Sequence, residues 1–150
     1  MIPLPKPLQV GLGVLVLAFS ACATDGMTDT DKLALYRGHA MAPVASFRYL
    51  NRIDGWTPLG DAALAIWTRP NEAYLLETNG PCPDLEFAQA IGLTSQMGTV
   101  YSRFDKVIPR ANPGGAPPIP CQIRQIRPLD VKAIKSAEQD MRRQRQEAAG

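Results

Sequence analysis

The chain has 150 residues, 45% of them hydrophobic, and a formal charge of +2. That is room for one ordinary domain with a packed core, which excludes global disorder. So small a net charge gives no global sign of a nucleic-acid binder.

Met1 to Gln9 carries one cation, Lys6, and no acid, and Val10 to Phe19 is uninterrupted and apolar. This run falls short of the ~20 residues that cross a bilayer as a helix. A short basic region, a short apolar region and small residues at its end predict a secretory signal over residues 1–21. A buried core helix is the competing reading, disfavoured by Pro3, Pro5, Pro7 and the polar stretch that follows. Phe19-Ser20-Ala21-Cys22 resembles the bacterial lipobox, in which the cysteine becomes a lipidated N-terminus. Ala21-Cys22-Ala23 also suits ordinary signal peptidase, which would discard Cys22 and release a soluble periplasmic protein. On the first route Cys22 is the lipid attachment, and Ala23 after it points to the outer membrane, facing the periplasm. Several acyl chains anchor stably where one binds marginally. Residues 22–42 then read as lipidated N-terminus and flexible tether, with a turn or two of helix at Asp31–Arg37 ending at Gly38.

A globular β-rich domain is expected over residues 43–129. Val44–Leu50 suits a first strand, and Arg52–Trp56 a turn into a second element. Ala62–Thr68 and Ala73–Thr78 flank the turn Arg69-Pro70-Asn71-Glu72 and predict a hairpin. Both runs are apolar on either face, which places the hairpin centrally. Pro83 and Asp84 can open a helix carrying Leu85, Ala88 and Ile91, with Gly92 as its stop. Thr99–Ile108 reads as one strand with Val100, Phe104 and Ile108 on one face. A proline- and glycine-rich loop fills 110–120. Cys121–Arg127 reads as the last strand. Residues 130–150 form a C-terminal helix and basic tail, with Asp130 as cap and Val131, Ile134, Ala137 and Met141 as a thin apolar stripe. The expected fold is mainly β (α+β): a small antiparallel sheet or partly open barrel with one short helix and a C-terminal helix.

The chain has three cysteines. Either processing route removes Cys22 from the count and leaves Cys82 and Cys121, a pair that an oxidising compartment joins as a disulfide. The rival, a reactive Cys82 thiol, lacks both a C-x-x-C partner and a base, since the one histidine is His39, in the tether. Gly55-Trp56-Thr57-Pro58-Leu59, Leu64–Thr68, Ala73–Leu76, Cys82-Pro83-Asp84-Leu85 and Cys121–Ile126 together resemble an uncharacterised family of small exported, lipoprotein-like proteins from Gram-negative bacteria. That resemblance covers about Val44 to Leu129 and implies an address without a mechanism.

Catalytic groups are sparse. Asp84 and Glu86, two apart, would not face each other on a helix, and phosphate loops, nucleophile elbows and H-E-x-x-H are absent. Neither a metal nor another cofactor is called for. Arg103, Arg124 and Arg127, with Lys106 near, would form a cationic patch if their strands pair; a solvated sheet face is the competing reading. Trp56 is a core residue or the rim of a binding surface. The expectation is a non-enzymatic, lipid-anchored binding or envelope-structural module. Its partners would be an envelope protein, lipopolysaccharide or peptidoglycan, with no nucleic acid. The alternatives are an inhibitor of a cell-wall hydrolase and a histidine-independent envelope enzyme.

Overall fold

The computed structural model describes residues 26–50, 52–111 and 114–150. The expected signal, Cys22 and the first tether residues lie outside them. Ten elements follow in chain order: α1 (Asp29–Gly38), β1 (Ser46–Arg48), β2 (Gly55–Pro58), β3 (Ala63–Arg69), β4 (Glu72–Thr78), β5 (Ala90–Leu93), β6 (Thr99–Tyr101), β7 (Lys106–Arg110), β8 (Cys121–Pro128) and α2 (Val131–Ala149). Six strands make one antiparallel sheet in the order β2-β3-β4-β8-β7-β5, and β1 pairs with β6 as a separate ribbon. The fold is thus the mainly β class that the residue pattern predicts, and the β3–β4 hairpin is internal to its sheet.

Alternation along the hairpin explains the two-sided apolar pattern. Leu64, Ile66 and Leu76 face a core shared with Phe47 and Val100 of the ribbon. Ala63, Ala65, Ala73 and Leu75 face the opposite core, shared with Tyr36 of α1 and Val131 and Ile134 of α2. Alanines on that side leave room for the larger side chains of the helices. On β8 the alternation is broken. Glu77 lies opposite Gln125 while Thr78 lies opposite Ile123, so one extra residue bulges. The bulge turns Ile123 and Ile126, three apart, to the same core.

Three expectations are corrected. The helix predicted from Pro83 to Gly92 does not form. Asp84 adopts φ 63°, a left-handed conformation that ends any right-handed run at its start. Single turns follow, with Leu85 N–H donating to Cys82 O and Phe87 N–H to Asp84 O, and Ile91 and Gly92 belong to β5. The single strand at Thr99–Ile108 is two strands with a turn between. Arg103 sits at φ 70°. Beside it the buried Asp105 carboxylate accepts from Tyr101 N–H and Thr94 Oγ1, each at 2.7 Å. That satisfied buried acid bends the chain and leaves Phe104 exposed. Finally, the stretch read as a tether is packed from Asp29 onward. Thr28 caps α1 by accepting from Asp31 N–H, and Tyr36 is buried. The short helix of the fold is therefore α1.

A disulfide joins Cys82 to Cys121, 39 residues apart. Both cysteines line the ribbon-side core. The chain-entropy model assigns such a loop about 4 kcal/mol. Replacing both cysteines by serine should lower the urea midpoint by a stability of that order, read by chemical denaturation; an unchanged midpoint would refute the assignment.

Tyr36 offers a pH test. Burial, then the charge of Glu138, raise its pKa from 10.0 to about 12, and its hydroxyl donates to Glu138 Oε1 at 3.2 Å. A folded pKa above the unfolded one means that the bound proton stabilises the fold. The contribution is complete below pH 10 and is lost between about 10 and 12. Denaturation midpoints should fall across that window, on the order of 2 kcal/mol from this group, and Tyr36→Phe should flatten the fall.

Candidate functional site

The residues expected to form a cationic patch divide between two places. Arg103, in the turn before β7, and Arg124, at the β8 bulge, line one shallow depression with Ala45, Tyr101 and Phe104. Arg103 N–H donates to Ile123 O at 2.6 Å, which holds the turn against β8. Arg127 is elsewhere. Its guanidinium donates to the carbonyls of Ala40 and Met41 at 2.9 and 2.8 Å, closing the segment after α1 onto the sheet. Trp56, on the edge strand β2 opposite Ile66, packs half-buried against the ribbon-side core. Trp67 faces the other core, donates Nε1–H to Thr57 Oγ1 at 3.1 Å and lies under Lys135 Nζ, 5.9 Å from its ring centroid.

Arg124 is also drawn inward. Its Nη2 is 3.9 Å from Glu77 Oε1, and the same carboxylate accepts from Arg37 Nε at 3.0 Å and from Arg37 Nη2. Glu77 is almost fully buried, whereas both arginines are about half exposed. A buried carboxylate needs such partners, and Arg37 thereby ties α1 to the central strand.

A cleft that the residue pattern did not single out lies at the far end of the hairpin. About 510 Å³ in volume, it is lined by Arg48 at the end of β1, Arg52 and Asp54 ahead of β2, Thr68 and Arg69 at the end of β3, and Glu72 and Tyr74 of β4. Two backbone contacts assemble it. Tyr49 N–H donates to Gly98 O at 2.6 Å, and Asp54 N–H donates to Trp67 O at 2.8 Å. Gly98 is at φ +74°, and a Cβ there would meet Tyr49 O at 3.2 Å. The back wall is Tyr74, stacked on Phe47 with centroids 4.4 Å apart. Burial raises the Tyr74 pKa first, the Glu72 charge adds to it, and Arg69 offsets part. The wall thus carries a neutral hydroxyl.

Arg52 Nε is 3.3 Å from Asp54 Oδ1, and Arg69 Nη1 is 3.8 Å from Glu72 Oε2. Such exposed pairs are weak and exchangeable. Thr68 Oγ1 donates to Glu72 Oε1 at 2.6 Å and fixes that carboxylate. Arg48 has no ion-pair partner among the described residues. The cleft could have been suspected from Arg52-x-Asp54 and Arg69-x-x-Glu72, acid–base pairs at turns, but its arginines come from three separate segments. Among the described residues there is no group of three or more His, Cys, Asp or Glu side chains placed to hold a metal ion. None of the helices there is long and apolar enough to cross a membrane.

These features define a small disulfide-bridged β domain, backed by two helices and carrying an arginine-lined cleft. The chain belongs to DUF6491, a family of unknown function whose model matches residues 6–145. No curated protein and no solved structure matches it.

The Arg37–Glu77 pair is testable on its own. Arg37→Ala leaves the buried carboxylate with only the distant Arg124, and should cost about 1–3 kcal/mol. Arg37→Ala combined with Glu77→Gln should recover part of that loss in a thermal or urea melt. Equal melts for both variants would show that Glu77 does not need its partner.

Proposed function

We propose that the protein is an exported, lipid-anchored envelope domain that works by binding rather than by catalysis. The observation that carries this reading is the Cys82–Cys121 bridge. A disulfide between two core cysteines suits an oxidising compartment. With both cysteines used, Cys22 is the odd thiol, set in the lipobox-like Phe19-Ser20-Ala21-Cys22. Lipid on Cys22 followed by Ala23 places the domain at the outer membrane, facing the periplasm. The partly exposed arginines of the cleft then meet envelope anions. The reading of a binding module rests on that cleft, whose polar side chains converge on a space of ligand size.

Intact mass of the protein extracted from membranes should show acyl chains on an N-terminal Cys22. An unmodified chain beginning at Ala23 or Thr24 would refute the anchoring.

A further inference from the structure

The cleft has a charge pattern that narrows its ligand. Three guanidiniums and two carboxylates line one space. A densely phosphorylated surface would gain from the arginines and lose to Asp54 and Glu72. A ligand with carboxylates and an amine on one short backbone can satisfy both signs. Arg48 offers a fork for a carboxylate without first breaking an internal ion pair. The two weak pairs beside it can exchange partners with a ligand of matching charge. Thr68 holds the Glu72 carboxylate oriented, as a receiver for a cation. The Tyr74 ring, braced by Phe47, gives a firm apolar wall with a hydroxyl on it. A volume of about 510 Å³ lies within the ~300–1,000 Å³ usual for small-ligand clefts.

Position sets how far the cleft reaches. The start of α1 meets the β2–β3 turn, where Asp29, Thr30 and Leu33 share a depression with Leu59, Gly60 and Asp61. Arg69 and Glu72 are at the other end of β3 and β4. Seven residues of strand separate the two ends by roughly 20 Å. Cys22 precedes Asp29 by seven residues, a reach of at most about 25 Å. An anchor at Cys22 therefore keeps the domain, cleft included, within roughly 45 Å of the membrane surface without fixing which end faces it. This step rests on the anchoring proposed above; the charge pattern does not.

We propose that the cleft formed by Arg48, Arg52, Arg69, Asp54, Glu72 and Tyr74 binds a short zwitterionic peptide of the kind that cross-links the bacterial cell wall. Arg48 and Arg69 take its carboxylates. Asp54 and Glu72 take its amine, and Tyr74 supports its backbone.

The test is a calorimetric titration of the full chain, extracted in mild detergent, with the tripeptide L-alanyl-D-γ-glutamyl-diaminopimelate. Saturable binding is expected, weakening as salt rises. Arg48→Glu should weaken it at least 10-fold, Arg69→Gln should weaken it less, and Arg142→Ala, on α2, should leave it unchanged. Arg48 is exposed, so the variants should melt with the parent; Arg69→Gln gives a second reading if Arg48→Glu does not fold. No saturable binding, or binding that Arg48→Glu and Arg69→Gln leave intact, would overturn the proposal. So would binding to vesicles of anionic phospholipid that exceeds binding to the peptide and is lost in Arg48→Glu, which would make the cleft a headgroup site. The titration does not depend on acylation, so failure of the anchoring and failure of the cleft are read separately.

Discussion

The fold hangs on the pairing of β4 with β8. These strands lie about fifty residues apart in sequence, yet their ladder runs from Tyr74 opposite Pro128 to Thr78 opposite Ile123. Just past its end, Asn79 N–H donates to Gln122 O, and the Cys82–Cys121 bridge follows. A non-local ladder closes a long loop before any contact rewards it. The covalent bond beside it offsets much of that cost. Everything else attaches to this pair: β3 and β2 on one side, β7 and β5 on the other, the ribbon over one face and the helices over the other.

The two ends of the hairpin next to that ladder have different work. Near Ala63 and Glu77 the chain holds a buried carboxylate, paired with Arg37 from α1. Near Arg69 and Glu72 it is open, with ion pairs that are long and exposed. The same residue types therefore serve stability at one end and remain available at the other. Burial decides which. An arginine locked onto a buried acid is part of the scaffold, whereas an arginine on a solvated pair can trade partners.

Much of this was legible in the residues. The β3–β4 hairpin announced itself by two apolar runs around Arg69-Pro70-Asn71-Glu72, and α2 by Asp130, which accepts from Ala133 N–H as a cap should. The cysteine pair followed from parity and compartment. What failed did so for non-local reasons. Leu85, Ala88 and Ile91 are spaced for a helix, but Cys82 is fastened to β8, its N–H is held by Asp61 O, and Asp84 turns left-handed. Thr99–Ile108 looked continuous because an aspartate in a strand reads as solvated. Only the surrounding donors show that Asp105 is buried and bends the chain. Arg103 and Arg124 line one depression while Arg127 is held by the Ala40 and Met41 carbonyls, a division that no spacing in the sequence encodes. The arginine cleft left only a faint trace in its acid–base pairs at turns, since β1, the β2 approach and the β3–β4 turn are brought together by the fold alone.

The stretch from Gly114 to Pro120 is exposed and lies inside the ring that Cys82–Cys121 closes. A protease that cuts there separates β1–β7 from β8 and α2 in the chain, but not in covalent terms. The two pieces stay joined through sulfur, and β8 stays laced into its ladder. Such a nick would be silent until reductant is added, when one molecule becomes two. The bridge thus makes the domain's covalent integrity indifferent to a cut in this exposed loop.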